Sequence, residues 1–208
     1  MNGGIDGEAA VAHLSNDPVM AAVISRVGVF RGWPVSTNPF RALSRSIIFQ
    51  QLSGAAAGTI FRRFIGIWSL EDEQFPEPAQ VLSASDEALR VAGLSRQKMA
   101  SVRSIAEHFG SGELSLENFE AWTDEEIIAH LTQVRGVGRW TAEMFLMFHL
   151  GRPDVLPVND VGINRAIMKL YGLEAMPKPP EVLRIGEAWR PWATVACWYL
   201  WRSEDARQ

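Results

Sequence analysis

The chain has 208 residues, 47% of them apolar and 21% charged, a balance that excludes wholesale disorder and suits one domain or two small lobes sharing a core. A single cysteine, Cys197, excludes an internal disulfide framework, a four-cysteine zinc site and a cysteine-ligated iron–sulfur cluster. The formal net charge of −4 argues mildly against a nucleic-acid binder.

Taken from the N-terminus, the pattern is helical nearly throughout. Segments of helical size fall near 19–29, 40–52, 54–68, 85–92, 96–110, 124–132, 139–150, 161–171, 180–187 and 192–203. Asn38-Pro39 reads as a helix start, with Phe40, Leu43, Ile47 and Ile48 recurring at helical spacing. Ser85-Asp86-Glu87 is a second start. Thr123 with Glu126 is a capping box ahead of Ile127, Ile128 and Leu131. Gly93, Gly110, Gly136, Gly151 and Gly172 punctuate the segments as C-terminal glycines do. No run of alternating β-branched residues with hairpin turns interrupts them, so the expected fold is all-α with short connections.

The charges are segregated along this pattern. Between Pro18 and Leu70 there is no Asp or Glu, but there are Arg26, Arg31, Arg41, Arg45, Arg62 and Arg63. A second acid-free stretch runs from Arg90 to Arg103 and holds Arg96 and Lys98. The acids gather elsewhere, as in Glu71-Asp72-Glu73 and Asp124-Glu125-Glu126. Such segregation gives an anion-attracting face on an acidic protein, or clusters of charge on solvated helix faces.

The segment richest in chemistry is 131–165. A helix ends at Gln133, and Gly136-Val137-Gly138 turns tightly into the next one, which opens Arg139-Trp140-Thr141-Ala142. Glycines at alternate positions let the backbone turn sharply and leave its N–H groups uncovered at a helix N-terminus. Unpaired donors and the helix dipole there favour an anion, and a phosphate fits without a cationic side chain. Backbone donors of this kind grip DNA phosphate even on an acidic protein, whereas a lone Gly-x-Gly between helices is also a plain structural corner.

Followed some twenty residues later by Pro157-Val158-Asn159-Asp160, the hairpin resembles the helix-hairpin-helix and Gly/Pro…Asp motif of the helix-hairpin-helix base-excision DNA glycosylases. Within them the chain is most similar to the alkylation-repair branch, DNA-3-methyladenine glycosylase II. The resemblance runs from about Phe40 to Trp201 and includes Ile47-Ile48-Phe49-Gln50-Gln51-Leu52-Ser53, Gly93-Leu94-Ser95-Arg96-Gln97-Lys98 and Trp189-Arg190-Pro191-Trp192. It implies two helical lobes with the active site in the cleft between them. One lobe would span about 45–150 and contain the hairpin 131–142. The other would combine 1–44 with 151–208.

The resemblance also implies roles. Asp160 matches the catalytic aspartate; an N-cap on the helix beginning at Val161 is a compatible second role. An ionised carboxylate stabilises the positive charge that develops on deoxyribose as the N-glycosidic bond breaks. Trp140 stands where bifunctional relatives carry a Schiff-base lysine, which implies a monofunctional glycosylase without strand cleavage. Trp201 matches a pocket tryptophan whose indole attracts a cationic methylated purine. Trp140 would form another wall of the base pocket, and Met144 stands where relatives often carry a tyrosine. Most of the remaining C-terminal tryptophans read as core. Gly136, Val137, Gly138 and Arg139 correspond to the DNA-binding hairpin. Gln50, Gln51 and Leu52 match the loop that fills the gap left by a flipped nucleotide, although helix-end positions of the glutamines also explain them. Family hairpins bind a structural monovalent cation through main-chain carbonyls, here those of Thr132, Val134 and Val137. No cofactor is expected for catalysis, and no His-Glu-x-x-His set is present.

The implied function is base excision of alkylated purines, 3-methyladenine and 7-methylguanine among them, from double-stranded DNA by a monomer. The alternatives are a glycosylase of the same fold for another damaged or mispaired base, or a non-catalytic helix-hairpin-helix module that only binds DNA. No apolar run reaches the ~18 residues of a membrane span, and Met1–Glu8 lacks the basic and apolar regions of a secretory signal. No membrane partner is therefore expected, and the expected compartment is the cytoplasm and nucleoid of a bacterium or the nucleus of a eukaryote.

Overall fold

The computed structural model describes residues 5–33, 38–52, 54–69, 74–114 and 119–205. Among them there is no strand, and the helices in chain order are α1 (Gly7–Leu14), α2 (Pro18–Val27), α3 (Pro39–Phe49), α4 (Gly54–Gly66), α5 (Pro78–Ser83), α6 (Asp86–Val91), α7 (Arg96–Ser111), α8 (Asp124–Leu131), α9 (Arg139–Phe148), α10 (Val161–Leu170), α11 (Pro179–Gly186) and α12 (Ala193–Asp205). Short 3-10 turns at Phe119–Ala121 and Glu187–Trp189 complete the set. None of these helices is long and apolar enough to cross a membrane. The helix starts at Asn38 and Thr123 form as expected: Asn38 accepts from the Arg41 N–H, and Thr123 with Glu126 closes both arms of a capping box.

Two helices escape the sequence reading. Asp6 caps α1 by accepting from the Ala9 N–H, and α5 begins with a capping box between Glu77 and Gln80. Both helices are too short to display a full apolar stripe. The helix expected over 40–52 stops at Phe49, where Gln50 leaves helical geometry. Ser53 and the acidic Glu71-Asp72-Glu73 lie outside the described residues.

The chain divides into two compact units, Ser36–Phe145 and Met1–Val35 with Leu146–Gln208. The division therefore falls just before α3 and within α9, at bounds other than those expected. In the first unit α7 is the central helix, and α3, α5 and α6 pack on it. It buries Met99, Val102, Ile105 and Ala106, while α3 contributes Leu43, Ile47 and Ile48. Phe40 meets Phe75 and Phe109 with ring centroids 5.4 Å apart in each pair. Burial of the Val, Leu, Ile and Met side chains among these contributes roughly 1.5–3 kcal/mol each relative to leaving them in water.

In the second unit α12 is central, flanked by α1, α2 and α10. Its Val195, Ala196, Cys197, Tyr199 and Leu200 are fully buried. Cys197 sits 3.9 Å from the carbonyl oxygen of Val155, beyond the reach of solvent. Asp17 ties three elements together. One oxygen caps α2 by accepting from Val19 and Met20, and the other accepts from the hydroxyl of Tyr171 and, at 3.4 Å, from the indole of Trp189. Burial, together with this hydrogen bond to Asp17, pushes the Tyr171 hydroxyl well above the ordinary tyrosine range. Asp17→Ala removes a cap and two charge-assisted bonds, so unfolding free energy in urea should fall by about 2–3 kcal/mol. A loss below about 0.5 kcal/mol would show that water replaces the carboxylate at all of these donors.

Candidate functional site

Asp160 lies at the end of a tight turn. Its N–H donates to the carbonyl of Pro157, and the following helix, α10, starts immediately after it. The side chain is 8% exposed. Its Oδ1 accepts from the Ile163 N–H at 2.8 Å and from the indole N–H of Trp201 at 3.1 Å. The first bond is an N-cap, and the helix dipole adds favourable potential for an anion there. The second comes from α12. The Trp201 ring is in turn stacked on Phe148, with centroids 6.0 Å apart and planes inclined by 29°. The resemblance assigns Trp201 to the base pocket; in the structure its indole N–H holds the carboxylate.

Two neighbours of Asp160 were not singled out from sequence. Gly162 leaves a space that a Cβ would fill: such an atom would lie 3.1 Å from Asp160 Oδ1 and 3.2 Å from the Trp201 ring. Asn164, also 8% exposed, donates its amide to the carbonyl of Val158 and so braces the loop that presents Asp160. The spacing Asp160-x-Gly162-x-Asn164 was visible in the sequence, but an isolated glycine or asparagine in a first helical turn carries no distinguishing signal. Thr194 of α12 anchors the chain leading into this loop, donating to Arg152 and accepting from the Val155 N–H.

The hairpin joins α8 to α9 through 132–138. Its turn bonds run from Val134 to Leu131 and from Val137 to Val134. Gly136 has φ +85°, and a Cβ there would sit 2.1 Å from Ser101 Oγ, so both conformation and space demand glycine. Gly138 differs. Its φ is not in the left-handed region and no atom approaches its Cβ position, so nothing within the chain requires glycine there. It is exposed, directly before the first N–H groups of α9. Arg139, which the resemblance assigns to the DNA-binding hairpin, is paired within the chain. Its guanidinium forms a bidentate pair with Glu125 and a 3.1 Å bond to Glu143. The side-chain hydrogen bond from Arg139 holds the Glu125 carboxyl below its usual range. Arg139 thus braces α9 against α8. The exposed turn presents backbone, since two carboxylates already neutralise this side chain.

At the end of α3 the three expected wedge residues separate. Gln50 donates to the carbonyl of Gly136 at 3.1 Å and to Thr141 Oγ1 at 2.8 Å. Its amide is engaged with the hairpin in this structure. Gln51 and Leu52 are exposed, and Gln51 adopts φ +56°, a conformation costing a non-glycine residue roughly 1–2 kcal/mol. Lys98, whose role the sequence reading missed, holds this corner. Its ammonium donates to the carbonyls of Ile48 and Gln50 at 2.7 and 2.9 Å, capping the negative end of α3. Burial lowers the Lys98 pKa. Lys98→Met leaves those carbonyls without their donor and should lower unfolding free energy by about 1–3 kcal/mol. An unchanged urea midpoint would show that the carbonyls are satisfied without it.

Trp140 is half-buried and Met144 is 5% exposed, both on α9. Among the described residues no group of three or more His, Cys, Asp or Glu is placed to hold a metal ion.

A chain whose described elements are all helices, carrying a glycine hairpin and a capped, buried aspartate after Pro-x-x, has the arrangement of a helix-hairpin-helix DNA-repair fold. Residues 44–191 match the HhH-GPD superfamily of base excision DNA repair proteins, and the chain belongs to that family. It is 40% identical over 167 residues to the DNA-3-methyladenine glycosylase 1 of Schizosaccharomyces pombe, covering 80% of this chain and 72% of that one. A second protein of that organism, described as alkylbase DNA glycosidase-like, is 32% identical over 200 residues, covering 95% of this chain and 93% of its own. The solved structure of the S. pombe 3-methyladenine DNA glycosylase in complex with abasic DNA superposes with a TM-score of 0.87 at 36% identity, covering 95% and 97% of the two chains.

Proposed function

We propose that the chain is a monofunctional DNA glycosylase that hydrolyses the N-glycosidic bond of alkylated purines such as 3-methyladenine and 7-methylguanine, acting as a monomer on duplex DNA. The observation that carries this reading is the Asp160 carboxylate, buried and gripped through one oxygen by the N-terminus of α10 and the indole of Trp201. A methylated purine carries a positive charge and leaves readily, so protonation by the enzyme is not required. The glycosidic electron pair departs with the base, and Asp160 stabilises the cationic sugar that remains. Water then adds to the anomeric carbon and loses a proton, leaving an abasic site. Trp140 provides no amine for a Schiff base, so the strand stays intact.

The other residues fit supporting roles. The α9 N-terminus beside Gly138 takes a DNA phosphate on backbone donors. Gln51 and Leu52, displayed by the left-handed turn, fill the gap left by the flipped nucleotide. Trp140, Met144 and Trp201 contribute to base selection. A monovalent cation would be held by the carbonyls of Thr132, Val134 and Val137; that of Val134 already accepts the Val137 N–H and keeps one lone pair for it.

A panel of duplexes with single lesions, scored for base release before and after hot alkali, tests the reading. Release of 3-methyladenine and 7-methylguanine, strand breaks only after alkali, and no borohydride-trapped adduct are the expected results. A trapped adduct would overturn the monofunctional assignment. Duplex binding without release of any base would leave a DNA-binding module in place of an enzyme.

A further inference from the structure

A second cationic feature lies outside the hairpin and the Asp160 site. Arg26, Arg31 and Arg202 line a concavity of about 450 Å³ together with Val29 and Trp198. They come from three places: the last turn of α2, the loop 28–33 and the last turns of α12. Arg26 complements the dipole at the end of α2, but no helix terminus accounts for Arg31. None of the three takes part in an ion pair among the described residues. Several acids of this unit are engaged elsewhere. Asp17 binds Tyr171, Asp154 and Glu187 pair with Arg190, and Glu204 pairs with Lys169. Three positive charges therefore converge on one hollow of a protein with a net charge of −4.

The walls are built. Tyr199 donates its hydroxyl to the carbonyl of Gly28, and Trp33 donates its indole N–H to Met147, so both ends of the loop are fixed. Phe30 is buried edge-on against Trp198 at 5.1 Å. Trp198 is held on its other edge by Tyr199 at 4.9 Å, and its ring carries the Arg202 guanidinium 5.5 Å from the centroid. A guanidinium placed over an aromatic ring loses less freedom on binding, and its planar donors match the oxygens of a phosphate. The volume exceeds that of a lone phosphate and leaves room for an adjoining sugar.

We propose that this concavity is a phosphate site that takes a phosphodiester of the bound DNA backbone, an inference resting on the DNA-repair reading above. A contact of this kind is charged and therefore salt-sensitive.

The test compares wild type with the Arg26→Gln/Arg31→Gln/Arg202→Gln triple variant on an undamaged duplex across salt concentration. Each phosphate neutralised contributes about 0.9 to the slope of log affinity against log salt, so the variant's slope should be shallower by about that amount. Relative to 1 M salt, that is a loss of about eightfold in affinity at 0.1 M. The corresponding triple lysine variant keeps the charge and should keep the slope, which separates charge from folding. Equal slopes for wild type and the glutamine variant overturn the proposal. Calorimetry with inorganic phosphate and with deoxyadenosine monophosphate distinguishes the source. Binding of either that is lost in the glutamine variant, with the duplex slope unmoved, would assign the site to a free phosphate compound and overturn the backbone assignment. A wild-type chain that binds no duplex removes both readings. One that releases alkylated bases with a slope unmoved by the glutamine variant removes this one alone.

Discussion

Asp160→Asn is expected to slow release of 3-methyladenine by on the order of 100-fold or more while duplex binding persists. The asparagine side chain still caps α10 and still accepts from Trp201, because its carbonyl oxygen can occupy the position of Oδ1, so the local geometry survives. What disappears is the negative charge, and charge is the quantity that the transition state needs more than the ground state does. Trp201→Phe probes the same site from the other side: it retains an aromatic ring for stacking on Phe148 but removes the N–H donor together with one ring of the indole. A smaller decrease than that of Asp160→Asn is expected for it. Release at the wild-type rate by Asp160→Asn would show that another group stabilises the sugar.

Gly136→Val should be the most damaging change in the hairpin. The new side chain meets Ser101 at 2.1–2.5 Å and requires a left-handed backbone that valine does not tolerate. The turn must move, and with it the carbonyl that Gln50 uses to attach the end of α3. Binding to all duplexes, damaged or not, should weaken together by tenfold or more, on the order of the phosphate-positioning term, with selectivity between lesions preserved. Gly138→Val provides the control for mechanism. Nothing in the protein opposes it, so its thermal midpoint should stay near wild type, and any loss of duplex binding reports on what the open space is for. Gly136→Val binding duplex as wild type does would mean that the hairpin carries no phosphate.

The residues bearing the strongest local chemistry were legible in the sequence. Pro39 after Asn38, Thr123 with Glu126 and the left-handed turn at Gly136 all act within four residues of chain, and their geometry follows from short-range hydrogen bonding and backbone sterics; the closeness of Ser101 to Gly136 does not show in the sequence. Asp160 was legible as a cap for the same reason. Its bond to Trp201 was not, because the partners are 41 residues apart and the indole N–H finds the carboxylate only after α12 has packed beside α10. Lys98 was hidden in a similar way, since its targets are carbonyls of α3 about fifty positions earlier, and a carbonyl leaves no mark in a sequence. Arg139 was legible as a residue of the hairpin, but the carboxylates that claim its guanidinium are recognisable only once α8 and α9 are side by side. Gln50 and Gln51 are adjacent and chemically identical, and the backbone alone sends one inward and leaves the other displayed.

The solitary cysteine has a practical consequence. Cys197 is enclosed by the core of its unit, so maleimide reagents would find no exposed thiol on the folded chain. A thiol introduced at the exposed position Gln133, on the hairpin turn, would then be the sole reactive site. A fluorophore attached there would report duplex encounter in real time without the background that multi-cysteine proteins impose, and chain-by-chain microscopy of the search along DNA would need no prior removal of native thiols.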